Sequence, residues 1–260
     1  MKRLGRLPPR KRLATAFGTL EYVLSGAESP AIVLFNGAGV TLEGWRTLYP
    51  EIEQMGCVLA WNRFGVAGSS KPRQPQTGKV VVASLRELLA AVGLPPPYVL
   101  VGHSLGGLYC NLFARLHPDE VAGMVLLEAT HPRDREMLKG HETQLASVLS
   151  KLFELPQRIF RANLHAEVDC VDDTAREVAA AGPFPPVPLT VVTGGNDPPK
   201  WLMSPEALRI RRANQQELAR LSPHGQQVVA PLSGHFPQLT QAELVLDVIR
   251  RMAGAVLQRA

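Results

Sequence analysis

Six short runs of β-branched and aliphatic residues, each separated from the next by a longer stretch, constrain the fold of this chain more than any other feature. They are AIVLF (31 to 35), CVLAW (57 to 61), YVLVG (98 to 102), GMVLLE (123 to 128), LTVVT (189 to 193) and QQVVA (226 to 230). A strand buried on both faces reads as a continuous apolar run, and parallel strands need a crossover between them. The crossovers are visible. Val81, Leu85, Leu88, Leu89 and Val92 recur at helical spacing in residues 80 to 92, as do Leu105, Leu108, Leu112 and Leu116 in residues 105 to 116. Pro95 and Pro118 follow these two segments, and residues 206 to 220 and 238 to 253 read as the last two helices. The pattern predicts an α/β fold with a mostly parallel central sheet flanked by helices.

One stretch breaks the alternation. Residues 133 to 188, about 55 of them, are too many for a simple crossover. Leu145, Val148, Leu149, Leu152 and Phe153 follow helical spacing, which predicts a helix over 134 to 155 within a helical cap that ends in the proline-rich GPFPPVP. The expected organisation is therefore a basic, flexible tail (1 to 16), a core (17 to 132 and 189 to 260) and a cap insertion (133 to 188).

The formal charge of +5 suggests an anionic partner until it is located. Lys2, Arg3, Arg6, Arg10, Lys11 and Arg12 hold six of the 28 basic residues, leaving 22 against 23 acids in the rest. A near-neutral body argues against nucleic acid as the partner. Cys57, Cys110 and Cys170 are too few and too far apart for a disulfide framework or a zinc site. LATAFGTLEYVL is interrupted by Gly18, Thr19 and Glu21, and no 18 apolar residues run together, so neither a signal peptide nor a membrane span is expected. These features predict a cytoplasmic location.

The chemistry concentrates in Gly102-His103-Ser104-Leu105-Gly106-Gly107, which directly follows the run YVLV and directly precedes a helical pattern. A sharp strand-to-helix turn needs small flanking residues and would expose the Ser104 hydroxyl at the carboxyl end of the sheet. A serine is a poor nucleophile without a base. His235, in SGHFPQL after the run QQVVA, is the histidine expected to project from the same edge. His103 is expected to point away across the turn. The imidazole in turn needs a carboxylate, and two candidates stand at strand ends: Asp197 in GGND, slightly favoured, and Glu128. Backbone donors for an oxyanion are expected from Leu105 and from Asn36-Gly37-Ala38-Gly39, with Ala38 foremost. No histidine pair has metal-ligand spacing.

In this order (oxyanion turn, serine, acid, histidine) the chain resembles the α/β-hydrolase superfamily over residues 17 to 258. Many members carry His-Gly where this chain has Asn36-Gly37, and a segment like Asp-Arg-x-Gly-x-Gly-x-Ser where it has Asn62-Arg63-Phe64-Gly65-Val66-Ala67-Gly68-Ser69. The family places its acid at the position of Asp197 or, in some members, of Glu128. The resemblance implies an acyl-enzyme on Ser104 without a cofactor. It also separates the chain from haloalkane dehalogenases and epoxide hydrolases, which carry an aspartate at that position. A carboxylester of small or medium size is the expected substrate. The alternatives are an amidase or peptidase, with Glu142, Glu154 or Glu167 anchoring a free amino terminus, or a ligand-binding member of the fold that does not turn over.

Overall fold

In a computed structural model of the chain, the described residues are 5–26, 29–137, 167–198 and 203–258. They build one eight-stranded sheet: β1 (Lys11–Thr15), β2 (Gly18–Ser25), β3 (Ala31–Phe35), β4 (Cys57–Asn62), β5 (Tyr98–His103), β6 (Val121–Leu127), β7 (Leu189–Gly194) and β8 (Gly225–Ala230). The spatial order is β1-β2-β4-β3-β5-β6-β7-β8, with β2 antiparallel to β1 and β4 and every other pairing parallel. The five long helices among the described residues are α1 (Gly78–Ala91), α2 (Leu105–Leu116), α3 (Val171–Ala180), α4 (Pro205–Ala219) and α5 (Ala242–Leu257). None of the described helices is long and apolar enough to cross a membrane.

Successive side chains of a strand leave on opposite faces, and β3 and β5 divide their residues accordingly. Val33, Phe35 and Leu100 join α1 and α2 residues such as Leu85, Leu88, Leu108 and Leu112 in one core. Ile32, Leu34, Val99 and Val101 join Val245, Ile249 and Met252 of α5 in the other. Both faces of β3 and β5 are thus dry, which is why these strands read as unbroken apolar runs. The order in which strands are added reverses at β3, whose parallel neighbours are β4 on one side and β5 on the other. Crevices for ligands open outside the carboxyl ends of strands at such a switch point. The turns after β3 and β5 border this one.

One expectation about organisation changes. Residues 11 to 15 are not part of a flexible tail: they form β1, in register with β2 from Lys11↔Tyr22 to Thr15↔Gly18. Ahead of it, Arg10 pairs with Glu43 and lies 3.6 Å from Glu21, and the Gly5 carbonyl accepts from Arg46 Nε at 2.7 Å. Lys11 and Arg12 are exposed because this is an edge strand, where charged side chains discourage further pairing. Of the stretch expected to form the cap, the helical turn Asp134–Met137 and the residues from Glu167 onward are described. The predicted helix over 134 to 155, with its stripe from Leu145 to Phe153, otherwise lies outside the described residues, as do Glu142 and Glu154. Helix α3 packs beside α1 and α2, where Glu177 accepts from the Lys79 amide at 2.8 Å.

Candidate active site

The turn between β5 and α2 is held by atoms that leave no room for side chains. A Cβ on Gly102 would lie 2.7 Å from Cys110 Sγ and 2.8 Å from Gly107 Cα, and one on Gly106 would lie 2.5 Å from the Phe35 carbonyl oxygen. Between them Ser104 has φ 51° and ψ −122°, a conformation that L-residues rarely adopt. Its backbone is pinned on both sides: the amide donates to Leu127 O at 3.0 Å, and the carbonyl accepts from Thr130 and Gly107 at 3.0 and 2.9 Å. Ser104 thereby occupies the N-cap position of α2, with its hydroxyl turned toward the loop that follows β8.

That loop carries His235, whose Nε2 lies 3.1 Å from Ser104 Oγ. The loop rests on the turn after β7: Gly195 N donates to Ala230 O at 2.8 Å and Asn196 N to Ser233 O at 2.9 Å. The contact requires Gly194, since a Cβ there would lie 2.3 Å from the Gly234 carbonyl oxygen. A second tether comes from His103. Its Nε2–H donates to the His235 carbonyl at 2.8 Å, so its side chain does cross the turn, but to hold the histidine loop. The remaining nitrogen, Nδ1, is buried with no hydrogen-bond partner among the described residues. Burial, with His235 beside it, pushes the His103 pKa down to about 3. Burial and then the Arg211 charge push His235 down to about 3 as well. Both rings are therefore neutral at neutral pH.

The carboxylate that faces His235 is Glu128, not Asp197, which corrects the slight preference drawn from sequence. Glu128 Oε2 lies 3.6 Å from His235 Nδ1, within ion-pair range. Glu128 sits at the end of β6 with φ 46°; its amide donates to Val192 O at 2.9 Å and its Oε1 accepts from the Gly194 amide. Arg211 of α4 pairs with the same Oε2, and burial lowers that guanidinium to about 10. Asp197 is instead bound through both oxygens to Arg212, at 2.6 and 2.8 Å, and this pair is about half exposed.

The turn after β3 completes the arrangement. Gly37 backs directly onto the serine: a Cβ there would be 2.9 Å from His103 Nδ1 and 3.3 Å from Ser104 Cβ. Asn36 points inward, its Nδ2 donating to Trp61 O at 3.4 Å. The amides of Ala38 and Leu105 donate to no other described residue. Arg63 Nη1 and Nη2 donate to the carbonyls of Asn36 and Gly37 at 2.8 and 2.7 Å, and the Gly39 amide donates to Glu167 at 3.0 Å. Glu167 is wholly buried in these contacts, which removes it as an anchor for a free amino terminus. Among the described residues no group of three or more His, Cys, Asp or Glu could hold a metal ion.

The structure thus brings together Ser104, His235 and Glu128, the second choice of acid from sequence, beside the turn at 36 to 39; sequence reading named His103, Arg63 and Glu167 without these contacts and did not name Arg211. For His103 the signal was strand alternation; for Arg63 it was a place in the glycine-rich segment after β4. Glu167 and Arg211 left none.

A mostly parallel sheet with a serine on its sharpest turn and a histidine and carboxylate from later strand ends is the architecture of the α/β hydrolases. A family model described as alpha/beta hydrolase fold matches residues 30–205, and the chain belongs to that family. Among curated proteins, YqjL of Bacillus subtilis, itself uncharacterized, is 32% identical over 103 residues, 40% of this chain and 41% of that protein. Epoxide hydrolase 3 of Xenopus tropicalis is 30% identical over 140 residues, 52% of this chain and 38% of that one. The chain thus spans well under two thirds of the curated relatives it matches. Among solved structures, a thermophilic esterase from Thermogutta terrifontis superposes with a TM-score of 0.69 at 22% identity, covering 96% of this chain and 99% of that one. The enol-lactonase of Burkholderia xenovorans LB400 gives 0.69 at 19% identity, covering 93% and 99%. At these identities the likeness is one of fold.

Proposed function

We propose that this protein is a serine hydrolase that cleaves a carboxylic ester of small or medium size through an acyl-enzyme on Ser104. The observation that carries the reading is the 3.1 Å approach of His235 Nε2 to the Ser104 hydroxyl on a strained turn where Ser104 alone is partly exposed. A neutral imidazole accepts that proton as Oγ adds to the carbonyl carbon, and the oxyanion is met by the Leu105 amide at the N-terminus of α2 and the Ala38 amide of the turn after β3. The imidazolium, stabilised by Glu128, then protonates the leaving alkoxide. In the second half His235 deprotonates water, which attacks the acyl-enzyme and frees the acid. The serine separates this chain from the aspartate chemistry of epoxide hydrolases, and the esterase and enol-lactonase among its structural neighbours favour an acyl–oxygen bond over an amide.

The test is labelling of wild type and Ser104→Ala with a fluorophosphonate, beside hydrolysis of p-nitrophenyl esters from acetate to laurate. Labelling and turnover are both expected in wild type and both lost in the variant, with the chain-length profile sizing the acyl pocket. A folded wild type that neither labels nor turns over would leave a ligand-binding role as the better account.

A further inference from the structure

Arg63 and Glu167 form a buried pair that reaches the candidate site without facing a substrate. Arg63 Nε lies 2.7 Å from Glu167 Oε1 and Nη2 lies 2.9 Å from Oε2, with side chains 3% and 0% exposed. The guanidinium stands 5.3 Å from the Tyr109 ring centroid on α2, within cation–π range. The remaining hydrogen bonds of the pair converge on one short stretch: Arg63 takes the carbonyls of Asn36 and Gly37, and Glu167 takes the amide of Gly39. The peptide between these three anchored groups contains the Ala38 amide, which is left to point elsewhere. Glu167 also lies four residues ahead of α3, the last helix before β7. Cys170 N donates to its carbonyl at 3.3 Å, and α3, which follows at once, is clamped to α1 and α2.

We propose that Arg63 and Glu167 are positioning residues that aim the Ala38 amide at the developing oxyanion, so that docking of the segment from Glu167 into α3 sets the strength of the oxyanion hole. This rests on the serine-hydrolase reading. A desolvated ion pair is a costly way to hold a loop compared with apolar packing. A guanidinium fork, however, fixes two carbonyls and a carboxylate in one plane, and an oxyanion donor tolerates little displacement.

The test begins with wild type and Ser104→Ala, whose labelling judges the hydrolase reading by itself. Arg63→Lys, Glu167→Gln and the uncharged pair Arg63→Met/Glu167→Gln are then compared with a p-nitrophenyl ester and a boronic acid that mimics the tetrahedral adduct. Loss of an aimed donor is worth about 10²-fold or more in kcat. The double variant is expected to lose about that much kcat with KM within about threefold, and boronate affinity is expected to fall in step with kcat/KM. Glu167→Gln, which keeps an acceptor for Gly39 N–H, is expected to retain more activity than the double variant. Folded variants with wild-type kcat, or with a raised KM alone, would overturn the proposal. If the Arg63 variants do not fold, Glu167→Gln decides: a kcat loss of about tenfold at unchanged KM supports the role, and an unchanged kcat rejects it.

Discussion

The turns after β6 and β7 each end in a carboxylate, lie side by side in the sheet, and do opposite things with it. After β6 the chain enters the left-handed region at Glu128, the carboxylate turns under the histidine loop, and it is buried against the Gly194 amide and Arg211. After β7 the glycines instead let the histidine loop approach, and the next acid, Asp197, swings out to a solvent-exposed pairing with Arg212. Burial decides which acid can matter electrostatically, since a carboxylate in water is screened from its neighbours while one in the interior is not. The backbone of each turn decides burial.

The most decisive way to break this contrast is to remove each acid in turn. Glu128→Ala is expected to lower kcat/KM for a p-nitrophenyl ester by about 10³- to 10⁴-fold, the scale known for loss of a triad acid, and Asp197→Ala by less than about threefold. A reversed order would hand the role back to Asp197. Next in size, Glu128→Asp keeps the charge but withdraws it by one methylene from His235 Nδ1, and kcat is expected to fall about 10- to 100-fold.

A third experiment sharpens the contrast through pH. Burial first, and the Arg211 charge second, disfavour the protonated form of His235 and lower its pKa to about 3. The acid limb of kcat/KM reports the base of the free enzyme, so it is expected well below pH 6.5. Arg211→Met removes a positive charge from beside the imidazolium, which raises the histidine pKa, and the limb is expected to move up by about one pH unit. An unmoved limb would mean that the Arg211 charge does not reach the ring. The smallest effect is expected at the exposed pair: Arg212→Ala should change unfolding free energy by no more than about 0.5 kcal/mol and leave the pH profile in place. A large loss of activity there would show that Asp197 is tied to the site after all.

How much of this was legible depended on how local the cause was. β3 to β7 were visible because burial on both faces writes a nearly unbroken apolar run, β8 was visible from its short VVA run although it is only partly buried, and α2 was visible because Leu105, Leu108 and Leu112 repeat at helical spacing among its buried residues. β1 was hidden because an edge strand facing water presents the charges of a disordered tail. Ser104 and His235 could be found because each stands at a strand end next to a helix. The choice between Glu128 and Asp197 could not be made, since both stand at strand ends and the difference lies in a φ angle and in which arginine of α4 each meets. The Arg63–Glu167 contact joins residues 104 positions apart in sequence, and no local pattern reports such a pairing.

The three glycines of the elbow also bear on how such a chain can change over generations. Gly102, Gly106 and Gly107 each face a neighbouring atom at 2.8 Å or less from where a first side-chain carbon would go. Every replacement of these glycines by another amino acid adds at least that carbon. The elbow therefore presents a concentrated mutational target for loss of activity, with no intermediate through which its geometry could drift. The exposed salt bridge at Asp197, by contrast, lies on ground where substitutions accumulate almost freely.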